Sequence, residues 1–76
     1  MSGSKMNIQD VFLNTARKEG ITISIYVTNG YLISGAKVLS FDNYAILVEV
    51  SGKQMLVYKH AVSTITPESN IITDAE

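Results

Sequence analysis

Gln54-Met55-Leu56-Val57-Tyr58-Lys59-His60-Ala61-Val62-Ser63-Thr64-Ile65 decides how this chain of 76 residues is read. Residues 54–58 and again 61–66 are rich in β-branched and aromatic side chains, which suit a pleated, half-buried strand. Lys59 and His60, the only histidine in the chain, fall at the junction between the two strands. Side chains at a strand-end bend project toward a partner rather than into a core. A lysine beside a histidine presents several hydrogen-bond donors, suited to phosphate or to a base edge. The plainer reading of the pair is a solvated lysine and a hydrogen-bonded, half-buried spacer histidine.

Upstream, Ala45-Ile46-Leu47-Val48-Glu49-Val50 is a further strand, joined to the first stretch by the turn Ser51-Gly52-Lys53 and preceded by Phe41-Asp42-Asn43-Tyr44, a turn bracketed by aromatics. Residues 21–28 alternate, with four aliphatics on one face and Thr22, Ser24, Tyr26 and Thr28 on the other. Asn29-Gly30 then signals a hairpin. In the strand that follows, Tyr31 and Ile33 are expected on one face and Leu32 on the other, which leaves Tyr26, Tyr31 and Ile33 in need of a cover. Gly35 and the unalternating Val38-Leu39 predict a sharp bend or a bulge. Before all of these, residues 8–20 read as a short helix with Asn7 as its cap, Gly20 at its end and Ile8, Phe12, Leu13 and Ala16 as one apolar stripe. Gln9 and Arg17 lie off that stripe. One helix and five short, bent antiparallel strands leave sheet edges exposed unless they curl into a barrel or pair with another molecule.

Composition narrows the classes. A core this small is marginal alone, and with no cysteine there is no disulfide, no zinc–thiolate cluster and no cysteine nucleophile. One histidine does not make a histidine-rich metal site, so no metal and no cofactor is expected. No run approaches the roughly eighteen apolar residues of a membrane span, and a cytoplasmic location is the expectation. Residues 1–6 are expected to be a disordered leader, residues 7–67 the domain and residues 68–76 a disordered acidic tail. The net charge is −1, but Glu68, Asp74 and Glu76 take three of the seven acidic groups, so residues 1–67 carry six basic and four acidic side chains, a net +2. No set of nucleophile, base and orienting group is recognisable and no Gly-rich phosphate loop occurs, so an enzyme is not expected.

Taken in order, Asn7-Ile8-Gln9-Asp10 with Phe12-Leu13-Asn14, the Asn29-Gly30 hairpin, Phe41-Asp42-Asn43-Tyr44 and above all Tyr58-Lys59-His60-Ala61-Val62-Ser63-Thr64 resemble the Hfq family, the bacterial Sm-like RNA chaperones. The resemblance spans residues 7 to about 67. It implies a mainly β fold in which an N-terminal α-helix precedes a strongly bent five-stranded antiparallel sheet, the Sm-like small barrel. It further implies a homohexameric ring closed by pairing the fourth strand of one subunit with the fifth of the next, acting in post-transcriptional regulation. On the helix-bearing (proximal) face it places Gln9, Asn43, Tyr44, Lys59 and His60 around uridine-rich RNA ends. On the opposite (distal) face it places Tyr26, Gly30, Tyr31, Ile33, Gln54 and Thr64 against adenine-rich RNA, with an aromatic at residue 31 resembling Gram-positive members. The lateral rim corresponds to Asn14, Arg17 and Lys18.

Two departures stand out. The segment from Gly35 to Phe41 is one residue longer than the usual family spacing, so a bulge is expected there. The rim reads Arg17-Lys18-Glu19-Gly20 rather than a cluster of arginines, which should weaken the annealing of two RNAs. The competing reading is an oligomeric Sm-like or SH3-like barrel serving as a structural or protein-interaction ring, which would not need Tyr44, Lys59 and His60 to converge.

Overall fold

A three-turn helix does not persist alone in water, and α1 (Ile8–Glu19) is held by what it buries. Leu13 and Ala16 are fully enclosed and Phe12 packs beside them, whereas Ile8 is 66% exposed, so the apolar stripe expected from the sequence stops one turn short. Gly20 takes a positive φ of 67° and the Ile21 N–H donates to the Ala16 carbonyl at 3.0 Å, the bond that closes a helix ending in a left-handed residue. The computed structural model describes residues 8–71, and the expected cap Asn7 lies outside them, as does the leader.

Five strands follow: β1 (Ile23–Val27), β2 (Leu32–Phe41), β3 (Ala45–Val50), β4 (Lys53–Tyr58) and β5 (Val62–Pro67), with a 3-10 turn, Lys59–Ala61, between the last two. All pairings are antiparallel and the spatial order is β4-β3-β2-β1-β5. The ten-residue β2 serves both halves of the sheet. Its first part pairs with β1 and its second with β3, and each pairing carries an irregularity. Ile23 and Ile25 oppose Ala36 and Ile33, which leaves an extra residue on β2 beside Gly35, at φ 69°. Val38 and Ser40 oppose Val48 and Leu47, which leaves Leu39 as a second extra residue. Bulges increase local twist and bend the strand that carries them. They fold the sheet over one core of Ile23, Ile25, Ile33, Ala36, Val38, Ile46, Val48 and Val57, closed by Leu13 and Ala16 of the helix.

The β1–β2 hairpin corrects the expected position of Ile33. The Gly30 N–H bonds the Val27 carbonyl at 2.9 Å and the Val27 N–H bonds the Tyr31 carbonyl at 3.0 Å, so the loop is Thr28-Asn29-Gly30, with Gly30 left-handed at φ 91°. That register sets Ile25 opposite Ile33 and Tyr26 opposite Leu32. Directly opposed residues share a face of the sheet. Ile33 therefore enters the core at 7% exposure, and Leu32, at 44%, joins Tyr26 on the open face.

Beyond β5 two further contacts follow. The Glu68 N–H donates to the Thr22 carbonyl at 3.0 Å and Ile71 lies against the core, while residues 72–76 of the expected tail fall outside the described residues. No helix among the described residues is long and apolar enough to cross a membrane.

Candidate nucleic-acid interface

The turn from β2 to β3 is built on Asp42. Its carboxylate accepts the N–H groups of Tyr44 at 2.8 Å and Ala45 at 2.9 Å, and its own N–H donates to the Ala45 carbonyl at 3.0 Å. These two backbone donors hold its carboxyl below the ordinary aspartate range, with a smaller contribution from the charge of Lys59. So anchored, the turn leaves Asn43 exposed and Tyr44 76% exposed, an aromatic ring offered to solvent.

The Lys59 N–H donates to the Tyr44 carbonyl at 2.8 Å, which ties the 3-10 turn to this aromatic turn. The Lys59 side chain is only 11% exposed; its ammonium lies 5.6 Å from the centre of the Phe41 ring and 4.0 Å from the Asp10 carboxylate. The latter is a charge pairing rather than a hydrogen bond. Gln9 and Lys59 face one open groove between α1 and β5, whose apolar wall includes Phe12 and Val62. His60 is exposed, its ring 6.0 Å from that of Tyr58 at an interplanar angle of 28°. Lys59 thus links Tyr44 and Gln9, with Asn43 and His60 as their chain neighbours and Phe41 and Asp10 as contacts of its side chain. The signal for both was present: each flanks a segment already singled out, Phe41 opening the turn and Asp10 following Gln9.

The second expected group is only partly assembled by one chain. Tyr26, 41% exposed, opposes Thr64 of β5 as well as Leu32, and the Ser63 hydroxyl donates to the Tyr26 carbonyl at 3.1 Å. At the hairpin tip Gly30 and Tyr31 are exposed, and the Tyr31 N–H is held by the Asn29 side-chain oxygen at 3.0 Å. Ile33 is in the core. Gln54 opposes Glu49 on β4, the far edge of the sheet from β5 and separated from Tyr26 by two strands. A single chain does not bring it to Tyr26. Leu32, opposite Tyr26, is the exposed aliphatic beside it; which β2 residues stand with Tyr26 follows from the hairpin register, in which Val27 meets Tyr31 and Ile25 meets Ile33.

On the helix, the Arg17 guanidinium donates from Nη2 to the Asn14 side-chain oxygen at 2.8 Å, and Lys18 and Glu19 are exposed beside it. No cluster of three or more metal-ligating side chains occurs among the described residues.

The comparisons with known proteins agree with one another. The family model described as "Hfq protein" matches residues 8–72. The chain is 51% identical over 71 residues to the RNA-binding protein Hfq of Geobacillus kaustophilus, covering 93% of each chain. To the RNA-binding protein Hfq of Clostridium kluyveri it is 53% identical over 72 residues, 95% of this chain and 87% of the other. Among solved structures, a crystal structure of "the pleiotropic translational regulator, Hfq" superposes with a TM-score of 0.75 at 33% identity, over 79% of this chain and 98% of that one.

Proposed function

This chain belongs to the Hfq family, and on that premise we propose that it is an RNA chaperone that binds uridine-rich small-RNA ends on the face carrying Lys59 and adenine-rich RNA on the face carrying Tyr26 and Tyr31, as a homohexameric ring in the cytoplasm. The observation that carries the reading is the linkage of Tyr44 and Gln9 through Lys59, bonded to the Tyr44 carbonyl and sharing a groove with Gln9, with His60 next in the chain. Their chemistry suits a single-stranded pyrimidine. Tyr44 offers a stacking surface, Gln9 and Asn43 offer donors and acceptors to a base edge, and Lys59 and His60 offer donors to carbonyl or phosphate oxygen. Stacking on an aromatic contributes about 1–3 kcal/mol per base, so one such pocket binds weakly and a ring of them tightly.

For the other face, Tyr26, Leu32 and Tyr31 are 41%, 44% and 63% exposed among the described residues. That surface suits a purine, and Gly30 beside it lets a backbone approach closely. Gln54 enters this site from the neighbouring subunit, because β4 and β5 are the two outer strands of the sheet and ring closure sets one against the other. Asn14, Arg17 and Lys18 form the rim; the Arg17–Asn14 bond and the nearby Glu19 leave it weakly cationic, so annealing of two RNAs is modest.

Fluorescence anisotropy with labelled oligo-U and oligo-A tests both faces. Lys59→Ala is expected to weaken oligo-U alone and Tyr31→Ala to weaken oligo-A alone, each by roughly tenfold or more. Failure of the unaltered protein to bind either oligomer at modest salt would overturn the RNA reading and favour a protein-interaction ring.

A further inference from the structure

We infer that Asn29 is a site of spontaneous deamidation, a covalent modification that places a carboxylate at the tip of the β1–β2 hairpin beside Tyr31. Its consequence for RNA rests on the adenine-binding reading above; the modification itself does not.

Asn29 is the one asparagine of five that is followed by glycine; the others precede Ile8, Thr15, Tyr44 and Ile71, whose side chains hinder attack by the following backbone nitrogen. At Gly30 nothing lies within 4 Å of where a Cβ would stand, and the loop is exposed. The Asn29 side-chain oxygen already accepts the Tyr31 N–H at 3.0 Å. That bond orients the carboxamide along the following backbone and polarises its carbonyl, the carbon that must be attacked. A donor aimed at an oxygen gaining negative charge stabilises the tetrahedral state.

The chemistry balances with water alone. The Gly30 nitrogen gives its proton to solvent base and bonds to the Asn29 side-chain carbonyl carbon. The bond from that carbon to the side-chain nitrogen breaks, and the nitrogen takes a proton from solvent and leaves as ammonia, leaving a five-membered succinimide. Water then opens either of its carbonyls, giving aspartate or isoaspartate, the latter with an additional methylene in the main chain. One water enters and one ammonia departs.

The gate is the bond from the Gly30 N–H to the Val27 carbonyl, 2.9 Å long, which must break before the nitrogen can act. The exposed tip, residues 28–30, is tied to the rest of the fold by the Thr28 N–H donating to the Ala61 carbonyl at 2.8 Å, and an exposed turn opens at lower free-energy cost than the core. RNA seated on Gly30 and Tyr31 holds the tip closed, so bound protein is protected and free protein ages. The product carries a negative charge where a polyanion would lie, and isoaspartate also lengthens the loop whose register sets Leu32 against Tyr26.

The test is to incubate the intact protein at mildly alkaline pH and physiological temperature and follow its peptides by mass spectrometry, with enzymatic methyl labelling of isoaspartate. Conversion is expected at residue 29 and not at Asn14 or Asn43, faster as pH rises and slower with oligo-A present. Conversion at residue 29 no faster than at Asn14 overturns the modification. The converted protein and Asn29→Asp are expected to bind oligo-A roughly tenfold more weakly with oligo-U unchanged; equal oligo-A affinity overturns the functional consequence. If the unmodified protein binds no oligo-A at all while residue 29 converts, the RNA reading fails and the modification stands.

Discussion

Asp42 shows how much of the candidate site depends on one exposed side chain. Its carboxylate organises the turn that presents Tyr44, and it does so as the anion, accepting two backbone N–H groups. Because its folded pKa is depressed, the turn's stabilisation is complete above the ordinary aspartate value, roughly 3.9, and is lost as pH falls through the lowered folded value. Hydrogen-exchange protection at Tyr44 and Ala45 should therefore fall in acid below that window, and Asp42→Asn, which keeps an acceptor but removes the titration, should flatten the profile. An unchanged profile in the variant would assign the acid loss to another group. At this scale the sequence was a good guide where chemistry is local: the aromatic turn carrying Tyr44 and the junction carrying Lys59 and His60 are both legible in it, and the structure ties the two by the bond from the Lys59 N–H to the Tyr44 carbonyl. Burial differs from the expectation at Ile33, which is enclosed, and at Ile8, which is exposed. Whether an aliphatic residue faces a core depends on what lies opposite, and Ile33 has Ile25 there.

Among the elements, the β3–β4 hairpin is the clearest case of turn chemistry under strain. Val50 pairs with Lys53, so the loop is the two residues Ser51 and Gly52, both at positive φ, 52° and 82°. Two-residue loops need that left-handed geometry to match strand twist, and it costs a residue bearing a Cβ about 1–2 kcal/mol. Ser51→Asn should therefore raise stability by about 0.5 kcal/mol, since Asn tolerates this region better, and Gly52→Ala should lower it by about 1–2 kcal/mol. The second effect would be strain alone, because nothing stands within 4 Å of an added Cβ. Chemical denaturation of both variants measures it, and a neutral Gly52→Ala would remove the strain argument. The helix, its glycine end and all five strands were legible in the sequence. The bend of β2 was legible only as punctuation, Gly35 and the broken alternation at Val38-Leu39, whereas the partners that turn punctuation into two bulges are remote in sequence.

For the whole molecule, the outer strands matter most. On β4, Met55, Leu56 and Tyr58 are exposed by 36%, 55% and 52%, and only Val57 is buried. An apolar outer strand with unpaired backbone groups is an association surface. Burying one leucine contributes about 1.5–3 kcal/mol, so in the proposed ring this strand would supply a large share of assembly. Leu56→Lys should convert the assembled protein to smaller species in analytical ultracentrifugation and weaken both oligomers together, since affinity depends on multiplicity. Retention of the unaltered protein's mass by Leu56→Lys would remove β4 from the interface.

The order of elements, the turns, the absence of any cysteine chemistry and the kind of side chain offered at the Tyr-Lys-His junction were all determined by the sequence itself, because each depends on neighbours a few residues away. Only the tertiary structure decided that Lys59 lies between Phe41 and Asp10, that Leu32 rather than Ile33 stands with Tyr26, and that Gln54 is on the opposite edge of the sheet from Thr64. Those facts rest on which strands become neighbours and in what register. A local pattern marks where a strand bends, but not what it is set against, and a shift of one residue turns a whole strand's side chains to the other face.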